Sequence, residues 1–330
     1  MRIIVDAMGG DHAPDEIVRG ALLAKKEYGF EIILVGDEEK IRPLVLDEEV
    51  TVVHTAEAVT MEDDPTTTLR AKKDASMYVA LRMLAQGEGD AVVSAGNTGA
   101  LLVGATMLVK RIKGIRRAAL ALPMPTATGK CMLVDCGANV ECTPAYLQQF
   151  ALMGAYYAER VLKIENPRVA LLNNGTEEHK GRTLEKETNA LLKTAVKNYV
   201  GNMEAREVVL GGCDVIVTDG FTGNVLLKTV EGAGLFFGGM IKGMLKKNLF
   251  TKLSALVLKD GIRTLKSKMD YNETGGTPIM GLRGAVIKAH GSAKATAMKN
   301  AIRVAAEYVN TGIIDDITRD IASLSIDAED

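Results

Sequence analysis

Tryptophan is absent from this chain, and aromatic residues make up only 4% of its 330 positions. Single-stranded nucleic acid is held by stacking on aromatic rings inside a positive field, and a net charge of −2 supplies no such field. Nucleic acid is therefore not an expected partner, and any anion site must be local. The four cysteines, Cys131, Cys136, Cys142 and Cys213, form no CxxC pair and have no histidine at zinc-module spacing. They read as reduced, mostly buried thiols in a reducing compartment. The opening MRIIVDAMGG reaches Asp6 too early for the apolar stretch of a secretory signal, and no apolar run approaches the roughly 18 residues of a spanning helix. A cytoplasmic location is the expectation.

Catalytic fingerprints are missing as well. There is no GxxxxGK phosphate loop, neither GGDHAP nor GNTGA completes GxGxxG, and no GxSxG elbow presents a serine nucleophile. No loop cysteine has a nearby histidine to activate it. A dinucleotide cofactor and an acyl-enzyme intermediate are both disfavoured, and no cofactor or metal is expected.

What the chain does have is a substantial core, with 47% hydrophobic residues, and a regular alternation of short β-rich runs with amphipathic helical segments. RIIVDAM, EIILVG, VTVVHT, DAVVSAG, CMLVDCG, RVALLNNG, DVIVTDG and AVIKAHG read as strands. PDEIVRGALLAKKEY reads as a helix stopped by Gly29, and another helix is expected from about Thr67 to Gln86. The pattern predicts a three-layer α/β/α fold around a mostly parallel sheet. Residues 1–330 form one domain, with lobes expected over 1–135 and 136–330 and a C-terminal helix packing back.

Six strands end alike: DAMGGDHAP, SAGNTGA, DCGANVE, NNGTEEHKG, TDGFTGN and AHGSA. In parallel α/β sheets, ligands bind at the carboxyl ends of strands, so several of these loops are expected to line one cleft. Each loop taken alone is also an ordinary turn. Their Gly-rich backbones, with the cations Lys180, Arg182, Lys288 and His290, suit oxyanions.

One region breaks the alternation. A glycine-rich apolar helix over Thr222 to Lys247 leads into a segment rich in lysine, giving a helical hairpin over 222–270 with a reversal at Asp260-Gly261. Leu249, Phe250, Leu253, Leu256 and Val257 recur at helical spacing between cationic flanks. That pattern suits an anionic membrane surface, a dimer-forming helix pair, or both.

Taken together, VDAMGGDHAP, SAGNTGALL, NNGTEEHKG, VTDGFTGNVLLKT, GGTPIMGLRG and IKAHGSA resemble the phosphate acyltransferase family of bacterial phospholipid synthesis over nearly the whole chain. The resemblance implies transfer of a fatty acyl group from acyl carrier protein to inorganic phosphate. It also implies a fold like those of phosphotransacetylases and isopropylmalate dehydrogenases, a homodimer, and peripheral attachment to the cytoplasmic membrane face, near a downstream membrane acyltransferase. Phosphate near neutral pH carries an ionised oxygen, so the enzyme mainly positions it and neutralises charge, each oxyanion donor contributing about 3–4 kcal/mol.

On that chemistry Lys180 is expected to hold phosphate or the oxyanion, Asn224 to donate to the thioester carbonyl, and His12 to donate to phosphate or protonate the leaving thiolate. Gly9, Gly10, Asn97, Thr98, Gly99, Asn174, Gly175, Thr222, Gly223, His290, Gly291 and Ser292 are candidate binding positions. Asp6, Asp11, Asp135 and Asp219 would repel phosphate and are expected to orient loops instead. Two alternatives are a short-chain transferase using coenzyme A thioesters and a membrane-surface scaffold whose glycine loops are merely turns.

Overall fold

β1 (Arg2–Asp6) follows the alternation of its sequence: Ile3 and Val5 enter one layer of the core and Ile4 the other. The next helix, α1 (Asp15–Tyr28), has Asp15 and Glu16 in its first turn and Lys25 and Lys26 in its last, matching the helix dipole. It stops at Gly29, whose φ of 72° makes a left-handed cap. The computed structural model describes residues 1–46, 48–263 and 275–321, and for Leu249 and Leu253 the backbone alone.

Further βα units follow: β2 (Glu31–Gly36), α2 (Glu38–Val45), β3 (Thr51–His54), α3 (Thr68–Ala71), α4 (Ser76–Ala85), β4 (Ala91–Ser94) and α5 (Thr98–Leu108). A second set comprises β5 (Ala119–Pro125), β6 (Lys130–Val134), α6 (Pro144–Arg160), β7 (Val169–Leu172), α7 (Thr183–Ala195), β8 (Tyr199–Met203), α8 (Ala205–Val209) and β9 (Val215–Val217). The long α9 (Gly220–Lys246) and α10 (Leu249–Val257) form the hairpin. The chain then returns through β10 (Gly276–Met280), β11 (Ala285–Ala289), α11 (Ala295–Asn310) and α12 (Ile313–Ile321).

The eleven strands of the described residues join one sheet, in the order β3-β2-β1-β4-β11-β10-β5-β6-β9-β7-β8. The block β3-β2-β1-β4-β11 is parallel, as is β6-β9-β7-β8. Between them, β10 and β5 pair antiparallel with each other and with their outer neighbours, so the two blocks run in opposite directions. Helices cover both faces, α1, α6, α11 and α12 on one and α4 and α5 on the other.

Several expectations need correcting. The lobe boundary at 135/136 does not hold, because β11 inserts beside β4 and α11 packs along α1, so the C-terminal elements complete the first lobe. AVIKA looks like any other buried strand, and no local signal states which neighbour it will choose. β5, β8 and β10 were not anticipated; in β5 the prolines Pro123 and Pro125 mask the strand pattern. The helix expected over Thr67 to Gln86 is two helices, broken where the 55–57 segment captures the backbone. There Thr55 Oγ1 donates to the Asp74 carbonyl, and Ser76 N donates to the Glu57 carbonyl at 3.0 Å. The hairpin reverses at Lys247–Asn248, where Asn248 caps α10 by accepting from Thr251 N at 2.9 Å. Asp260 and Gly261 are helical, and the rest of the expected hairpin, 264–270, lies outside the described residues, as do the side chains of Leu249 and Leu253. Among the described residues no helix is long and apolar enough to cross a membrane.

Candidate active site

The strand-end loops gather in two clusters. In the first lobe, Asp6, Ser94 and Lys288 occupy one register row across β1, β4 and β11. All three share the sheet face of Ile4, Val92 and Val286. Asp6 accepts from Ser76 Oγ and Ser94 Oγ, each at 2.6 Å, and Ser76 reaches it from the start of α4. Burial pushes the Asp6 carboxyl upward, and the two hydroxyls draw it back. Lys288 is 8% exposed; burial lowers its ammonium to about 8, against the raising pull of Asp6 and Asp11. It donates to the carbonyls of Ala95, at 3.4 Å, and Ala289.

Three loops close over this row. A Cβ on Gly9 would stand 2.8 Å from Gly96 N, and one on Gly10, where φ is 106°, would stand 3.0 Å from the Gly291 carbonyl oxygen. Only glycine allows the 8–12, 95–98 and 290–292 loops this approach. Asp11 N donates to Gly291 O at 2.9 Å, and His290 Nδ1 lies 2.8 Å from Ser292 Oγ. Partial desolvation, then Lys288 and Lys228, lower the His290 imidazole. Asn97 caps α5 through Ala100 N and donates its amide to the carbonyls of Thr60, Met61 and Asp63, so it clasps the acidic 60–65 segment. Gly99 packs against Pro65 of that segment, and Thr98 is half-buried at the first turn of α5. His12 is exposed and makes no side-chain bond within the described residues.

The second cluster surrounds the start of α9. Asp135 is fully buried and accepts from the backbone N–H groups of Leu120, Gly137, Ala138 and Asn139 and from Asn139 Nδ2. Asp219 caps α9 through Thr222 N at 2.8 Å and Thr222 Oγ1 at 2.9 Å, and accepts from Arg182 at 2.7 Å. Arg182 also grips Glu185. This chain of bonds ties the 173–182 loop to the α9 N-terminus. A Cβ on Gly220 would meet Asn139 O at 2.7 Å, and one on Gly223 would collide with the Asp135 carbonyl oxygen, so both glycines let α9 lie flush on the 135–139 loop.

The ammonium of Lys180 and the amide of Asn224 have no partner among the described residues. Lys180 is half-buried, its stem packed over the buried Gly175, and Asn173 Nδ2 holds the Lys180 carbonyl at 3.2 Å. Asn174 is exposed, its backbone N bonded to Asn173 Oδ1. Asn224 stands exposed one turn into α9, about 3.9 Å from where a Cβ on Gly137 would lie. Farther along α9, the Lys228–Glu231 pair, 2.7 Å apart, acts electrostatically on both Cys136 and His290, so α9 links the two clusters.

The structure thus brings together Gly9, Gly10, Asp11, Gly291 and Ser292 with Asp6, and separately Asp135, Gly223, Thr222, Asp219, Lys180 and Asn224. Sequence reasoning missed Ser76, Ser94, Asn139 and Asn173, the residues that orient the acids and the lysine loop. Ser94 was findable, as a polar residue on the core-facing register of an otherwise apolar strand. Ser76 was not, because its role depends on the break before α4. Among the described residues, no group of three His, Cys, Asp or Glu side chains is placed to hold a metal ion.

Two opposed parallel blocks joined by an antiparallel pair, with helices on both faces, define an α/β fold of the phosphotransacetylase class. A phosphotransacetylase from Streptococcus pyogenes matches with a TM-score of 0.65 over 94% of both chains at 16% identity. The chain belongs to the phosphate acyltransferase family and is an acyltransferase. Residues 1–316 match the family model described as fatty acid synthesis protein. Proteins named phosphate acyltransferase are 46% identical in Alkaliphilus oremlandii, over 99% of each chain, and 48% identical in Bacillus cereus, over 96% of this chain and 97% of that one.

Proposed function

We propose that the protein transfers a long-chain fatty acyl group from the thioester of acyl carrier protein to inorganic phosphate, giving an acyl phosphate for phosphatidic acid and phospholipid synthesis. The observation that carries this reading is the pair Lys180 and Asn224, a cation and an amide without partners among the described residues, on a loop and on a helix start that the Arg182–Asp219 bond joins. Lys180 holds phosphate. One phosphate oxygen attacks the thioester carbon, and Asn224 donates to the oxyanion that develops. The C–O bond forms, the C–S bond breaks, and His12 hands the departing thiolate its proton. The buried acids stay behind the loop backbones, where they do not repel phosphate.

The hairpin serves product delivery in this reading. Leu235, Phe236, Met240 and Met244 leave an exposed apolar side on α9 that a second copy of the chain would cover. Phe250, Leu256 and Val257, exposed among Lys246, Lys247, Lys252 and Lys259, would rest on the anionic inner face of the cell membrane. An apolar, hydrolysable acyl phosphate would then emerge beside the bilayer and its next enzyme.

Phosphate-dependent release of carrier thiol from long-chain acyl carrier protein tests the reaction. Lys180→Ala is expected to lower kcat by about a hundredfold or more without changing the melting temperature. Full activity in that variant would remove the assigned cation. Faster turnover of acetyl-coenzyme A than of the long-chain carrier would replace the donor.

A further inference from the structure

Between Asp90 and Asp135 the chain has no acidic residue, yet Lys110, Arg111, Lys113, Arg116 and Arg117 crowd into the link from α5 to β5. Burial of Ile112 and Ile115 anchors that link, and Ile112 N donates to Gly281 O at 2.9 Å. Gln149 clamps it from α6, accepting from Arg116 N and donating to Gly114 O, each at 2.8 Å. Arg283 joins from the β10–β11 turn: its backbone N donates to Lys110 O at 2.9 Å, and its Nε donates to Arg111 O at 3.0 Å. Lys110, Lys113, Arg117 and Arg283 are exposed and make no ion pair within the described residues. The result is a rigid cationic surface, in which Lys110, Lys113, Arg117 and Arg283 meet no counter-charge among the described residues, on a protein of net negative charge.

This surface adjoins the second cluster. Ala118, next to Arg117, accepts from Asn139 Nδ2 at 2.8 Å, and the charge of Arg117 is felt at Cys142. Asn139 belongs to the loop that cradles the start of α9. Exposed Met107 and Val140 stand within a few residues of the cations and supply apolar contact.

We propose that the 110–117 loop with Arg283 is the docking surface for the acidic carrier that brings the thioester, a proposal that rests on the donor reading above. A carrier presenting its acyl group on a flexible arm must be held beside the cleft mouth, not inside it, and this patch lies one loop away from Asn224. The hairpin cations are a poorer fit, since they are interleaved with exposed Phe250, Leu256 and Val257. Complementary charge of this kind acts mainly on encounter, so it enters KM and weakens with salt.

The test compares two donors of the same acyl chain, the acyl carrier protein and neutral acyl-pantetheine, on the full-length protein. Lys110→Glu with Lys113→Glu, and the same pair with Arg117→Glu, are expected to lower kcat/KM for the carrier by about tenfold or more, through KM, and to flatten its dependence on ionic strength. Turnover of acyl-pantetheine should stay within about twofold, since a neutral donor has no use for the surface. The lysine pair, whose side chains make no bond within the described residues, guards against loss of the Arg117 contact with Tyr146, 5.5 Å away. An unchanged carrier KM, an equal loss with both donors, or a loss produced instead by Lys246→Glu with Lys247→Glu overturns the docking surface. If the unaltered protein used acyl-pantetheine but not the carrier, the donor reading itself would fall, and the docking surface with it.

Discussion

Lys288 shows how one residue can hide from its own sequence. In AVIKAHG it reads as a strand-end cation ready for an anion, yet it is buried and bonded to backbone carbonyls in a row with Ser94 and Asp6. Its ammonium titrates near 8 when folded, against 10.5 for an ordinary lysine. Between those values the unfolded chain holds a proton that the folded chain does not, so stability rises with pH across that window. Below 8 both states are charged and the burial cost is fully present; above 10.5 neither is. Lys288→Met keeps the length and removes the titration. Urea unfolding at pH 7, 9 and 10.5 should show the unaltered protein gaining on the variant by up to about 3 kcal/mol as pH rises, Asp6 and Asp11 being the neighbours that temper the shift. Parallel curves for the two proteins over that range would mean that Lys288 is not a desolvated cation. The contrast with Lys180 is instructive. Lys288 lies inside β11, whereas Lys180 sits in the loop after β7 with no partner for its ammonium among the described residues, and sequence spacing does not distinguish the two environments.

Elements were most legible where periodicity and punctuation agreed, as in α1 between Pro14 and Gly29, or in β2, whose EIILVG run matches its bounds. They were least legible where long-range contacts decided the outcome, as at the break before α4. Gly223 reads from the sequence as a candidate binding position, and the missing side chains of Gly220 and Gly223 also make room for the 135–139 loop. The hairpin lies between these cases. Its helices were visible in the apolar spacing, whereas its reversal at Asn248 depends on a capping exchange with Thr251 that competes with the Asp-Gly signal downstream. The helix after that reversal exposes Phe250, Leu256 and Val257. On the proposed membrane contact, placing charge there should abolish binding to anionic vesicles while leaving the Lys180–Asn224 cluster intact. Leu256→Glu with Val257→Glu is expected to keep thiol release near the unaltered rate but to stay at the bottom of a flotation gradient with vesicles containing anionic lipid. Flotation equal to that of the unaltered protein would show that the hairpin tip is not the anchor.

At the scale of the whole molecule, the opposed parallel blocks raise the question of whether the lobes are separate folding units. The sheet answers through its middle strands. β10 and β5 pair with each other and with both flanks, so no seam of unpaired backbone divides the lobes. Each face is also one continuous apolar layer. The layer containing Ile3, Val5 and Met298 of the first lobe runs through Met280 and Met132 to Phe150, Val215 and Val217 of the second. Opening either lobe alone would expose the inner flank of the other, at about 25 cal/mol for each Å² of apolar surface uncovered. The C-terminal return strengthens the coupling, because β11 closes the first block, between β4 and β10, yet is delivered only after the second block is complete in sequence. Native-state hydrogen exchange in rising denaturant should therefore give the amides of Ile3–Val5 and of Val215–Val217 the same opening free energy and the same denaturant slope. If the β9 amides opened at lower free energy with a smaller slope, the second lobe would unfold on its own, and the joining pair β10 and β5 would be a hinge between two domains instead of the centre of one.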